Sequence, residues 1–187
     1  MSSGLDEAVA RWCTDHRVGW LDDVTVWLAE ASEMLGVIAL VLVLWVCAAV
    51  WFGGWRPMLQ VVGALAAVSV LTGWLKPAID RPRPSGDLAL MDIPGSAMPS
   101  SHALITSAFV VAVVLAEWWS SERLQRAAVV AGALGCVLVA AAMVYMGAHW
   151  VTDVLVGWAL GVGLTWPLML LARRVPDGSP PVRVSER

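Results

Sequence analysis

Five long apolar runs dominate this chain: Met34–Phe52, Met58–Leu75, His102–Ala116, Ala127–Met146 and Trp150–Ala172. A helix needs roughly 20 apolar residues to cross the hydrocarbon core of a bilayer. Inside that core every backbone amide must be paired within the chain, so runs of this kind fold as helices. Across its 187 residues the chain is 59% hydrophobic and 14% charged. Both values lie far from those of disordered chains and of ordinary soluble domains, which carry about 25% charged residues. The expected fold is therefore all-α: a polytopic membrane helix bundle of five spans with no sizeable soluble domain.

Residues 1–33 read differently. Trp12, Trp20, Leu21, Val24, Trp27 and Leu28 are interleaved with Asp15, Asp22, Asp23 and Glu30. Paired acids in mid-segment oppose a crossing, so this region is expected to lie in the interface as an amphipathic helix or helix pair, with tryptophan as its anchor. A sixth span or a soluble cap is the alternative. Residues 34–174 form the membrane domain, and 175–187, rich in Pro, Gly and Ser, form a disordered cytoplasmic tail. Cys13, Cys47 and Cys136 are widely separated and read as small hydrophobic side chains rather than a disulfide or zinc framework.

Charge sets the orientation. Five spans place Arg56, Arg123, Arg126, Arg173, Arg174, Arg183 and Arg187 on one side, and Arg11, Arg17, Lys76, Arg81 and Arg83 on the other. The richer side is cytoplasmic by the positive-inside rule. The long loop from Lys76 to Ser101 then faces away from the cytoplasm, in a protein of the plasma membrane. A net charge of −3 and the absence of a basic stripe argue against a nucleic-acid partner.

Three polar clusters converge on that outer side. Lys76, Arg81 and Arg83 lie on a segment stiffened by Pro77, Pro82 and Pro84, which holds the cations apart. The same segment also fits a basic patch that touches lipid headgroups. Pro99, Ser100, Ser101 and His102 precede the third run; a serine cap there leaves helix-end amides facing the loop, an anion site with a histidine beside it. A simple cap with an incidental histidine fits equally. His149 and Asp153, four residues apart, share one helical face, so the carboxylate can hold one imidazole nitrogen and leave the other to attack. A polar pair anchoring a helix end is the alternative. Cations, helix-end amides and an oriented histidine make up the inventory of phosphoryl transfer. No carboxylate cluster has metal-binding spacing, so neither metal nor cofactor is expected.

In order and spacing these clusters resemble those of the type 2 phosphatidic acid phosphatase superfamily of membrane lipid phosphatases, whose motifs read K-x6-R-P, P-S-G-H and S-R-x5-H-x3-D. Lys76, Arg83 and Pro84 match the first; Pro99, Ser100 and His102 match the second, with Ser101 in place of glycine; His149 and Asp153 match the end of the third. The resemblance implies that His149 is the nucleophile, Asp153 its orienting acid and His102 the acid that protonates the leaving oxygen. It further implies that Lys76, Arg83 and Ser100 hold the phosphate; Ser101, at the same helix end, is expected among the phosphate-binding residues as well. The third motif's serine and arginine fall on Ala142 and Met143. Arg81 is the expected substitute for the missing cation, with Arg11 and Arg17 behind it.

The expected activity is dephosphorylation of a membrane lipid phosphate through a phosphohistidine. A polyprenyl diphosphate is the leading substrate; phosphatidylglycerophosphate, phosphatidic acid and polyprenyl phosphosugar phosphates are the alternatives. The rival readings are a non-catalytic binder or transporter of lipid phosphates, with Met143 marking lost chemistry, and a phosphotransferase. Oligomeric state is not written in the sequence.

Overall fold

The computed structural model describes residues 3–33, 55–116 and 118–174. The expected first span, Met34–Phe52, and the expected tail, 175–187, lie outside the described residues, as does Glu117. Among the described residues there are six α-helices: α1 (Gly4–Asp15), α2 (Gly19–Glu33), α3 (Trp55–Ile79), α4 (Ser101–Leu115), α5 (Glu122–Tyr145) and α6 (Val151–Arg173). A single 3-10 turn, Gly86–Leu88, interrupts the loop between α3 and α4. No strand occurs among these residues.

Helices α3, α5 and α6 are long and apolar enough to cross a membrane. Helix α4 is apolar but has only 15 residues, about 22 Å at the usual rise, short of a hydrocarbon core of about 30 Å. Of the five expected spans, three thus meet the length requirement, one is shorter, and one lies outside the described residues.

The short helix is the centre of the packing. Val61 and Ala64 of α3, Ala112 of α4 and Met169 of α6 form one buried cluster with Ala116, just past α4. Ala103 of α4 joins Ala140 of α5 and Val154 of α6 in another. Small residues let α4 and α6 approach closely: a Cβ on Gly161 would lie 2.1 Å from Ser107 Oγ and 2.4 Å from the Leu104 carbonyl oxygen, and one on Gly157 would lie 2.8 Å from the Ser100 carbonyl. The small-xxx-small pattern of α6 therefore serves a seam inside the chain. The outward faces stay apolar, with Val70, Val130, Leu134, Leu138 and Leu171 exposed, a surface suited to lipid.

The N-terminal region is a helix pair. Ser3 caps α1 by accepting the Asp6 amide, and Asp6 accepts the Ser3 amide in return. Trp12 of α1 and Trp20, Trp27 and Leu28 of α2 are exposed, an apolar face of the kind an interfacial helix presents. The pair is tied to the bundle by the Tyr145 hydroxyl, which donates to Asp22 Oδ1 at 2.6 Å and accepts from the Val18 amide at 2.9 Å. Arg17 Nη1 donates to the Asp87 carbonyl at 3.1 Å. Residues 3–33 thus roof the end of the bundle at which α3 finishes, α4 begins, α5 finishes and α6 begins.

Candidate active site

At that end lies a cavity of about 380 Å³, lined by Lys76 from α3, Arg83 from the following loop, Ser101 and His102 from the first turn of α4, Met143 from α5, and His149 from the turn into α6. Ala29 and Glu30 of α2 close one side, and the loop residues Met91, Asp92, Ile93 and Pro94 close another. Residues 73 positions apart in the chain are brought together here because four helix ends meet.

The turn that carries His149 depends on Gly147. Its φ of 74° is left-handed, and a Cβ there would lie 2.0 Å from the Leu88 carbonyl oxygen; only glycine permits both the turn and the approach. The Leu90 amide donates to the Met146 carbonyl at 2.9 Å, which pins the long loop against this turn. His149 itself is 3% exposed.

Its two ring nitrogens face different partners. Nε2 is 3.2 Å from Arg83 Nη1, and Nδ1 is 3.6 Å from Asp153 Oδ2. A guanidinium only donates, so Nε2 is the acceptor and the ring proton belongs on Nδ1, towards the carboxylate. The lone pair that results, on Nε2, faces Arg83, which lines the cavity. Burial lowers the pKa of His149 below the ordinary histidine value; the nearby Arg83 and Lys76 charges add to that, while Asp153 opposes it. Together these effects favour the neutral imidazole.

The cations are fixed by backbone carbonyls. Lys76 Nζ donates to the Ser96 carbonyl at 3.0 Å, Arg83 Nε to the Gly95 carbonyl at 3.2 Å, and Arg83 Nη1 to the Ala148 carbonyl at 2.6 Å. Ser100 is fully buried and its hydroxyl accepts the Ala103 amide, so it caps α4 rather than lining the cavity. Ser101 and His102, in the first turn it caps, are the wall residues. Of the two serines expected at this helix start, Ser100 is thus the cap and Ser101 the one at the cavity wall.

Arg81 is likewise placed elsewhere than expected. It is 8% exposed, does not line the cavity, and sits behind the site. Nη1 is 2.6 Å from both Asp153 Oδ1 and Thr152 Oγ1, and Nη2 is 2.7 Å from Asp6 Oδ2. Two buried carboxylates pair with its charge. Arg11 and Arg17 do not line the cavity either; Arg11 lies 3.9 Å from Glu7 on the surface of α1. Met143, 6% exposed, occupies the wall at the position of the third motif's arginine. Among the described residues, the Lys and Arg side chains that line the cavity are Lys76 and Arg83.

Sequence reasoning missed Asp6, Thr152 and the contribution of α2. Ser3 and Asp6 announce a helix cap, but nothing local says that the same carboxylate reaches a residue 146 positions away.

The sequence matches the PAP2 superfamily over residues 30–176. The chain belongs to the PAP2 superfamily. Its enzyme class is accordingly lipid phosphate phosphatase, and it is an integral membrane protein. Among solved structures, the fold is similar to that of a transmembrane PAP2-type phosphatidylglycerolphosphate phosphatase from Bacillus subtilis, with a TM-score of 0.73 and 22% identity over 93% of this chain and 87% of the other. No curated protein matches the chain.

Proposed function

We propose that the protein dephosphorylates a membrane lipid phosphate through a phosphohistidine on His149, without a metal ion. The carrying observation is the opposed pair of contacts on the His149 ring, Arg83 on one nitrogen and Asp153 on the other. The substrate phosphate binds between Lys76 and Arg83 at the α4 N-terminus, where the helix dipole favours an anion. His149 Nε2 attacks phosphorus; an N–P bond forms as the P–O bond to the lipid breaks. His102 gives its proton to the departing oxygen. Water, deprotonated by His102, then attacks phosphorus, the N–P bond breaks, and inorganic phosphate leaves. The positive charge that develops on the imidazole during attack is balanced by Asp153.

The lipid's tails stay in the bilayer while its headgroup reaches the cavity. Placing the site on the extracytoplasmic side, with the C-terminus cytoplasmic, makes a polyprenyl diphosphate the leading substrate. A second reading, phosphatidylglycerophosphate, is favoured by the charge of the cavity. Met143 stands where a third cation is expected, and Glu30 and Asp92 stand on the walls, which suits a phosphomonoester better than the more highly charged diphosphate.

The test is phosphate release by purified protein in detergent with EDTA, from both lipids, beside His149→Ala. Release that survives EDTA and falls at least about a thousandfold in the variant, the scale of losing a nucleophile, supports the reading. Binding without release from any lipid phosphate leaves a non-catalytic binder, and formation of a phosphate ester from an added alcohol leaves a phosphotransferase.

A further inference from the structure

The acid behind His149 is held by a residue from the other end of the chain. Asp153 gives Oδ1 to Arg81 Nη1 at 2.6 Å, while Oδ2 accepts the Trp150 amide at 2.8 Å and faces His149 Nδ1. Arg81 gives its other terminal nitrogen to Asp6 Oδ2 at 2.7 Å. Asp6, 1% exposed, also accepts the Thr152 amide on Oδ1 at 3.0 Å, and the Thr152 hydroxyl lies 2.9 Å from Oδ2. Thr152 is in the first turn of α6, whose N-cap residue, Trp150, supplies no side-chain cap. The Asp6 carboxylate therefore caps α6 from a different helix, at the turn that carries Asp153.

We propose that Asp6 is a positioning residue of the phosphatase site, fixing Asp153 through Arg81 and Thr152, so that α1 is a working part of the catalytic apparatus. The inference rests on His149 being the nucleophile. Its physical basis is geometric and electrostatic. A guanidinium gripped by one carboxylate can rotate about that contact; gripped by two it is fixed in plane. With Asp6 in place, Arg81 holds one oxygen of Asp153 and leaves the other for His149. With Asp6, Arg81 and Asp153 all charged, the cluster carries one net negative charge behind the imidazole. That charge favours the cationic imidazole formed on attack at phosphorus.

The carboxylate is held ionised. Burial alone pushes the Asp6 carboxyl up, but hydrogen bonds from Ser3, Thr152 and Arg81 outweigh it and keep it well below the usual carboxylate range. Around His149 the other charged groups are Arg83 and Lys76 on the cavity side, and Glu30, Asp92 and His102 on the remaining walls. None of these touches Asp6, so replacing Asp6 alters one charge of the set.

The experiment is steady-state kinetics against pH on full-length wild type, Asp6→Asn and Asp6→Glu, with phosphate release as readout and melting temperature recorded in parallel. Asp6→Asn is expected to lower kcat by about tenfold to a hundredfold, the range typical of outer-shell partners, with KM changed less. The acid limb of its kcat/KM profile moves to lower pH, because the imidazolium loses a neighbouring negative charge. Asp6→Glu, which keeps the charge, keeps the wild-type limb. A purely structural Asp6 would lower the melting temperature and leave both kcat and the limb of folded Asp6→Asn unchanged, and that result overturns the proposal. Removing one partner of a buried ion pair is strongly destabilising; if Asp6→Asn yields no folded protein, Thr152→Val takes its place. It removes the hydroxyl between Asp6 and Arg81, leaves every charge, and is expected to lower kcat at unchanged KM; an unchanged kcat overturns the proposal. Inactive wild type would instead sink the phosphatase reading itself.

Discussion

At the scale of single residues, His149 is defined by what its two nitrogens face. Because burial, Arg83 and Lys76 outweigh Asp153, its pKa lies below the ordinary value of about 6.5. In the proposed mechanism the neutral form attacks, so activity is retained as pH falls until protonation sets in. The acid limb of wild-type kcat/KM, which reports the free enzyme, is expected below pH 6.5; a limb at or above that value would mean that Asp153 dominates. Arg81→Ala bears on the missing third-motif cation. If Arg81 held phosphate, its loss would raise KM; held instead between Asp6 and Asp153, its loss is expected to lower kcat by about tenfold or more while KM moves little. Lys76→Ala and Arg83→Ala, at cavity-lining positions, are expected to impair both parameters.

At the scale of elements, the seam between α4 and α6 sets where Ser101, His102 and Asp153 stand relative to one another. The Ser100 amide donates to the Asp153 carbonyl at 3.1 Å, so the two helix starts are joined directly. Gly161→Ala forces a methyl group against the Leu104 carbonyl, backbone that cannot swing aside, and is expected to cost about 1–3 kcal/mol, read as a lower melting temperature in detergent. Gly163→Ala, with nothing within 4 Å of its Cβ, is the matched control and should be neutral or slightly stabilising, since alanine is the better helix former. The sequence was informative here to different depths. Apolar runs located α3, α5 and α6, because those are local properties of the chain; the pairing of His149 with Asp153 was expected on one helical face, whereas His149 lies in the turn before the N-cap Trp150 and only Asp153 is inside the helix. The serine cap of α4 was legible as a local property too, since Ser100 accepts the amide three residues on. The surroundings of Arg81 were not legible: it has a good local reason to face an anion, and its partners Asp6 and Asp153 are ones that only packing supplies.

At the scale of the whole molecule, the site end and the opposite end of the bundle differ in kind. One gathers Lys76, Arg83, His102 and His149 around a cavity closed on one side by Ala29 and Glu30 of α2. The other is closed by backbone contacts: Arg173 Nη2 donates to the Leu115 carbonyl, Gln125 Nε2 to the Val114 carbonyl at 2.8 Å, and Trp119 Nε1 to the Val113 carbonyl at 2.9 Å. With the site end extracytoplasmic, a cysteine replacing exposed Ser85 should react with an impermeant thiol reagent in intact cells, and one replacing exposed Arg123 only after lysis; the reverse pattern would turn the protein over.

The most direct test of the account is to look for the covalent intermediate. Phosphate-labelled lipid substrate would be mixed with the protein in EDTA, quenched in alkali, where phosphohistidine survives, and the labelled residue mapped. Label on His149, absent from His149→Ala, is the predicted result. Turnover with no label on the protein, or label on another residue, would contradict a phosphohistidine at His149.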